Sequence, residues 1–190
     1  IDGLDTVDWP ESTKKQQRDW IGKQEGANVA FRVKGTETDL TCFTTRVDTI
    51  YGVTYVVIAP EKFTEFGLEN LVSEEKNPHV EEYLAKAHYK TEEQRKKGEK
   101  DKNGVDTGLM VINPVTQEEV PLYITDYVLA NYGTGVVMGV PAHDQRDHAF
   151  AIKYGLPIRS ILENDQNDPQ GVSAEEGILI NSGQFTGLTS

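Results

Sequence analysis

Two clusters in the sequence carry side chains that could do chemistry. The first is Ala142-His143-Asp144-Gln145-Arg146-Asp147, which follows the apolar run Val136-Val137-Met138-Gly139-Val140 and its terminator Pro141. Polar groups at the end of a buried strand are where pockets often form. Counting from Asp147, residues Phe150, Ala151 and Tyr154 fall at i+3, i+4 and i+7, so its carboxylate begins the helix face that turns toward the core. At a helix N-terminus the macrodipole stabilises such a carboxylate by about 0.3 to 1 kcal/mol and keeps its charge ready for a cationic group such as an α-ammonium. Asp144 can share that task. The same pattern also has a purely structural reading, in which Asp144 caps the helix and Asp147 complements its dipole. The second cluster is Thr44-Thr45-Arg46-Val47-Asp48-Thr49, where hydroxyls, a guanidinium and a carboxylate could orient a substrate. Threonine is also a good strand residue, and Arg46 with Asp48 could be an ordinary ion pair.

Other chemistries fit less well. His143, Asp144, Asp147 and His148 mix histidine and carboxylate as zinc sites do, but the two histidines are five apart and nearly opposite on a helix, so no metal is expected. Cys42 has no histidine partner in its neighbourhood of the sequence and reads as a small core residue. Gly133-Thr134-Gly135 lacks the third glycine and the lysine of nucleotide-binding loops, and His79 and His88 lie in a charged helical stretch with no assigned role.

The elements that must position these clusters are strand-rich. Val29, Phe31 and Val33 alternate with Ala30, Arg32 and Lys34, and Leu40 to Thr45 is rich in β-formers beyond Gly35, which predicts a hairpin. Thr54 to Ala59, ended by Pro60, and Val136 to Val140 are apolar enough to be buried on both faces. Leu109 to Ile112 and Val120 to Ile124, separated by Asn113-Pro114, predict a second hairpin. Helices are expected after Pro10, from an N-cap at Asn77 through Val80, Tyr83, Leu84 and Ala87, from Thr91 through Lys97 as a solvated face, and from Ala142 to Tyr154, closed by Gly155. Residues 164–171 read as a polar loop.

A chain of 190 residues can bury roughly 70% of its unfolded surface, which favours one domain spanning 1–190, with 1–25 and 180–190 as linkers toward a larger body. The opening Ile1-Asp2-Gly3 supports that expectation of a piece excised from a longer protein. One cysteine rules out an internal disulfide and fits a reducing cytoplasm. The net charge of -12 argues against autonomous gripping of nucleic acid, and no apolar run approaches a membrane span.

Trp20-Ile21-Gly22-Lys23, Thr44-Thr45-Arg46-Val47-Asp48-Thr49 and Gly133-Thr134-Gly135, followed by His143-Asp144-Gln145-Arg146-Asp147, occur in an order that resembles the editing insertions of class I aminoacyl-tRNA synthetases. Phe150-Ala151 and Lys153-Tyr154-Gly155-Leu156-Pro157 make the leucine enzyme of bacterial type the most similar member, over nearly the whole chain. The resemblance implies an α+β fold, a compact and mostly antiparallel β-barrel with peripheral helices. It implies hydrolysis of the ester joining norvaline, isoleucine or methionine to the terminal adenosine of tRNA(Leu), with leucyl-tRNA(Leu) spared. By the same resemblance Asp147 and Thr45 are the catalytic residues, Asp147 binding the substrate's α-amino group with Asp144 beside it. Thr44, Thr45 and Arg46 line the pocket, and Thr49 is the gate that excludes leucine. Leu129, Tyr132, Met138 and Val140 are pocket and adenosine contacts, with His143 at the rim. The implied partners are the tRNA end and the remainder of the parent synthetase, in a monomer. Editing would use no cofactor, and ATP would serve only the parent's catalytic domain, whose H-I-G-H and K-M-S-K-S sequences do not occur here. The sequence departs from the family at Val47, Gln24 and Gly139, where proline, serine and alanine are usual, and none of the three removes a proposed functional group.

Overall fold

The computed structural model describes residues 2–22, 26–90, 103–131, 133–163, 172 and 176–190. The alternating segment forms β1 (Ala27–Val33) and pairs antiparallel with β2 (Asp39–Thr44), setting Val29 opposite Cys42 and Phe31 opposite Leu40. All four of these side chains are buried, so both strands of the hairpin present their apolar set to one face. β3 (Tyr55–Ile58) is buried at every residue, as its unbroken apolar run requires. β4 (Gly104–Ile112) and β5 (Glu119–Thr125) form the second hairpin, with Val111 opposite Val120. β4 begins five residues before the predicted start, and its register is irregular between Asp106 and Met110. Gly108 there has φ 72, and the buried Thr107 hydroxyl donates to the Leu122 carbonyl at 2.7 Å. β6 (Val136–Gly139) closes the set.

The six strands run in the order β2-β1-β4-β5-β3-β6, antiparallel except for β3 beside β5. The expected barrel is thus an open sheet. Its two edge strands, β2 and β6, approach within 8 Å at their Cα atoms, but the hydrogen-bonded order ends at each of them. Curling replaces closure here, since apolar side chains can fill the seam between edges where no ladder of backbone bonds forms. The fold is α+β and the sheet is mixed.

α1 (Glu11–Ile21) starts after Pro10 and stops at Gly22 as predicted, and α2 is the short Pro60–Glu65 helix after β3. α3 (Asn77–His88) buries Val80 and Ala87 against β4. Asn77 is its first helical residue and not its cap, and its side-chain Nδ2 donates to the Glu81 carboxylate at 2.8 Å. The predicted helix from Thr91 to Lys97 and the polar loop at 164–171 lie outside the described residues. α4 (Gln145–Tyr154) completes the helices that matter for the site. No helix among the described residues is long and apolar enough to cross a membrane.

Two cores result. Val56, Ile58, Val136, Met138 and Val140 point into the larger one with Phe31, Leu40 and Ile50. On the opposite face Tyr55, Val57 and Tyr123 pack against Phe150 and Ala151 of α4. Full burial of each such side chain is worth about 1.5–3 kcal/mol, so α4 is fixed on the sheet by its aromatic contacts. Phe150 stacks on Tyr55 at 5.1 Å between centroids and meets Tyr154 at 4.4 Å.

Candidate functional site

β6 and α4 are joined by a turn that places two carboxylates at one helix N-terminus. Pro141 ends the strand ladder, and the amides of His143 and Asp144 both donate to the Val140 carbonyl, at 3.0 and 3.1 Å. The helix therefore begins at Gln145, three residues later than the sequence pattern suggests. Asp144 has extended backbone angles, φ -137 and ψ 124, and its Oδ1 accepts the Arg146 and Asp147 amides at 2.7 and 3.1 Å. It is a capping residue in fact, satisfying two of the donors that every helix start leaves open.

Asp147 turns back on the strand. Its Oδ2 accepts the Val140 amide at 2.8 Å, which orients the carboxylate over the strand end. Behind it, the Tyr55 hydroxyl donates to the Asp147 carbonyl oxygen at 3.3 Å. Burial, and then the Asp147 charge, push the Tyr55 phenol far above its ordinary pKa, so it stays a neutral donor. Gly139 makes this arrangement possible: a Cβ there would stand 2.3 Å from the Tyr55 ring. The unusual glycine is thus matched to a tyrosine ring lying directly across the strand.

The two histidines of the cluster serve different partners. The amide of Ile161 donates to His143 Nε2 at 3.0 Å, and His148 Nδ1 lies 3.0 Å from the Pro141 carbonyl. His143 is only 7% exposed, inside the turn and not on an open rim.

The threonine cluster ends β2 and enters a 3-10 helix, Val47–Gly52. The Thr44 hydroxyl accepts the Arg46 amide at 3.0 Å, and the Arg46 guanidinium grips Asp48 through Nε at 3.1 Å and Nη2 at 2.8 Å. That bond to Asp48 raises the already high guanidinium pKa, with Glu176 contributing. Thr49, 3% exposed, donates from both its amide and its hydroxyl to the Arg46 carbonyl, at 3.1 and 2.8 Å. The hydroxyl bond fixes χ1 of a β-branched side chain and so fixes where its methyl group stands. Thr45 and Val47 are exposed.

The structure brings Thr49's helix and the Asp147 turn to one place. Val140 and Ile161 side-chain atoms lie 3.2 and 3.3 Å from where a Cβ on Gly52 would stand, and Ile50 and Val53 share a core with Met138 and Val140. Leu129 is half-buried beyond β5, in the segment that backs the start of β6, at the opposite end of that strand from Asp147. Tyr132 lies outside the described residues. Sequence reasoning missed Tyr55, Asn113 and Ile161 as framing residues. Each acts across a long sequence separation, and only Tyr55, a tyrosine in a run buried on both faces, advertised a need for a polar partner.

Against known proteins, the family described as leucyl-tRNA synthetase, editing domain, matches residues 18–190. The chain is 49% identical to the leucine--tRNA ligase of Clostridium beijerinckii over 191 residues, covering 100% of this chain and 23% of that protein. It is 48% identical to the leucine--tRNA ligase of Caldanaerobacter subterraneus, again covering 100% of this chain and 23% of the relative. A crystal structure of the ternary complex of Agrobacterium radiobacter K84 agnB2 LeuRS with tRNA and LeuAMS is similar with a TM-score of 0.68. That match has 38% sequence identity and covers 88% of this chain and 20% of that one.

Proposed function

Because the chain belongs to the leucyl-tRNA synthetase editing-domain family, we propose that it hydrolyses the ester of mischarged tRNA(Leu), releasing norvaline, isoleucine or methionine while sparing leucyl-tRNA(Leu). The observation that supports this best is the turn in which Asp144 caps α4 and Asp147 is aimed by the Val140 amide, with Gly52 of the Thr49 helix packed against Val140. Asp147 binds the substrate's α-ammonium, and Asp144 holds the helix start that presents it. Thr44, Thr45 and Arg46 line the pocket, Leu129, Tyr132, Met138 and Val140 are pocket and adenosine contacts, and His143 lies at the edge. Thr49 excludes leucine by the fixed position of its methyl group. A hydrophobic pocket discriminates a methylene weakly, about 10- to 200-fold, so exclusion by clash is the effective device.

In the reaction water adds to the ester carbonyl, the bond from that carbon to the ribose oxygen breaks, and the ribose oxygen takes up a proton as the amino acid leaves. The ester is already an activated acyl group, so positioning and electrostatics by Asp147, Thr45 and the substrate's own ribose hydroxyl carry the step without metal or cofactor. The net charge of -12 keeps the body of the RNA away, so binding energy comes from the rest of a larger, monomeric and cytoplasmic parent. The chain spans about a quarter, 23%, of the curated relatives it matches. ATP-dependent ligation of leucine belongs to that remainder, to which 1–25 and 180–190 would be the links.

The test is amino acid release from isoleucyl-tRNA(Leu) and leucyl-tRNA(Leu), by the purified chain at high concentration and by a full-length ligase carrying it. Isoleucine released and leucine retained is the expected result. Release of neither amino acid by either protein would replace hydrolysis with a module that only binds the tRNA end.

A further inference from the structure

The bonds made by Thr49 are internal to its own segment: both run to Arg46. They set the shape of the 3-10 helix and leave its place in the molecule to other contacts. Ile50 is buried in the larger core and Tyr51 packs edge-on against Phe185, and three further contacts reach its backbone from outside. Gly52 is packed by Val140, the Arg159 carbonyl and Ile161, and packing of this kind is not directional. Arg159 Nη1 reaches the Tyr51 carbonyl at 3.5 Å, the far limit of a hydrogen bond. The third is a good bond: Asn113 Nδ2 donates to the Ile50 carbonyl at 2.9 Å, across 63 residues of sequence and in buried surroundings.

Asn113 is built for this. It is 1% exposed, and its Oδ1 accepts the Val115 and Thr116 amides at 2.9 and 3.2 Å, while its own amide and carbonyl pair with Glu118 and Gln117 across the β4–β5 turn. The carboxamide is locked on the oxygen side by the turn and extends its nitrogen to the residue next to Thr49. A buried asparagine whose two ends serve different elements acts as a spacer of fixed length.

We propose that Asn113 is a positioning residue for substrate selection: by holding the Ile50 carbonyl it sets where the Thr49 methyl group stands, and so how firmly leucine is shut out. This rests on the editing reading above and extends it to a residue that touches no substrate. Releasing the bond lets the 3-10 helix shift without unfolding it, because its internal bonds remain. Leucine then enters, while smaller or differently shaped side chains, already accepted, gain little.

Two substitutions isolate the bond. Asn113→Asp keeps the oxygen that serves the turn and turns an oxygen toward the Ile50 carbonyl in place of the donor. Asn113→Ser keeps a hydroxyl able to accept a turn amide but is too short to reach Ile50. Val111→Ala, a truncation of a fully buried side chain in the same hairpin that breaks no hydrogen bond, serves as the stability-matched control. Rates on leucyl-tRNA(Leu) and isoleucyl-tRNA(Leu) are measured for each, in the chain and in the full-length ligase, beside thermal melts. The expected result is a leucyl-to-isoleucyl rate ratio raised about tenfold in both Asn113 variants, the factor one buried hydrogen bond commands, and unchanged in Val111→Ala. A ratio that stays at the unsubstituted value in the folded Asn113 variants, with both rates falling together as in the control, overturns the proposal. Absence of isoleucyl hydrolysis in the unsubstituted proteins overturns the editing reading, and the positioning role with it.

Discussion

The Asp147 turn and the Thr49 helix solve the same problem in different ways. Both aim a short polar side chain by bonding it to nearby backbone, Asp147 to the Val140 amide seven residues back and Thr49 to the Arg46 carbonyl three residues back. The turn, however, joins a strand paired along its length with β3 to a helix stacked on the sheet through Phe150 and Tyr154. Its frame is the fold itself, and it can move only if the fold does. The Thr49 helix has a fixed shape, but its location depends on side-chain packing at Ile50, Tyr51 and Gly52 and on one short buried hydrogen bond, from the Asn113 carboxamide. The difference suits the two tasks. On the proposed editing reading, a charge anchor needs a carboxylate of constant direction, whereas exclusion depends on the position of a methyl group.

The largest expected effect breaks the turn. Asp147→Ala should lower isoleucyl-tRNA(Leu) hydrolysis by at least about a hundredfold, as truncation of one partner of a charge pair does. It also strips the Val140 amide of its partner, costing about 1–3 kcal/mol by urea denaturation, and the fold should survive. Asp144→Ala comes next. Losing a cap that accepts two amides should cost about 1 kcal/mol in the same denaturation experiment, with hydrolysis reduced less than by Asp147→Ala because the anchor remains. If Asp144→Ala instead matched Asp147→Ala in rate, the carboxylates would be joint anchors and the distinction between cap and anchor would fall.

The smallest effect lies on the other side of the comparison. Arg159 bonds Glu118 and holds its carboxyl below the ordinary carboxylate range. A folded-state pKa depressed in this way contributes stability that is present above the unfolded value and lost as pH falls through the folded one. Both side chains are more than 40% exposed, so screening limits the pair to below about 1 kcal/mol. Glu118→Gln should therefore melt slightly lower than the unsubstituted chain at neutral pH and equally in acid, with the ester preference unchanged. A changed preference would mean that the Arg159 contact, and not Asn113, places the Thr49 helix.

Legibility in the sequence follows the same division. The turn was largely readable, because a cap, a terminating Gly155 and the spacing of Asp147, Phe150 and Ala151 are local signals. The partner of Asp147 was not, since any amide near a helix start would satisfy the pattern. In the threonine cluster the Arg46 and Asp48 pair was readable as a neighbouring ion pair, and it formed. The Asn113 bond was not, because Asn113-Pro114 signals only a turn and says nothing of a carbonyl 63 residues away. The first residues of β4 carry no strand pattern in the sequence, because Gly104, Asp106 and Gly108 interrupt it where the register is irregular. Barrel closure was an expectation from resemblance, and strand periodicity carries no information on whether edges meet by hydrogen bonds or by packing.

The most direct measurement is leucyl-tRNA(Leu) hydrolysis by Thr49→Ala and by the double variant Thr49→Ala with Asp147→Ala. If the two regions serve one pocket, the single variant hydrolyses the leucyl ester and the double variant does not. A single variant that still spares leucine, or a double variant that keeps the gained activity, would contradict a shared site.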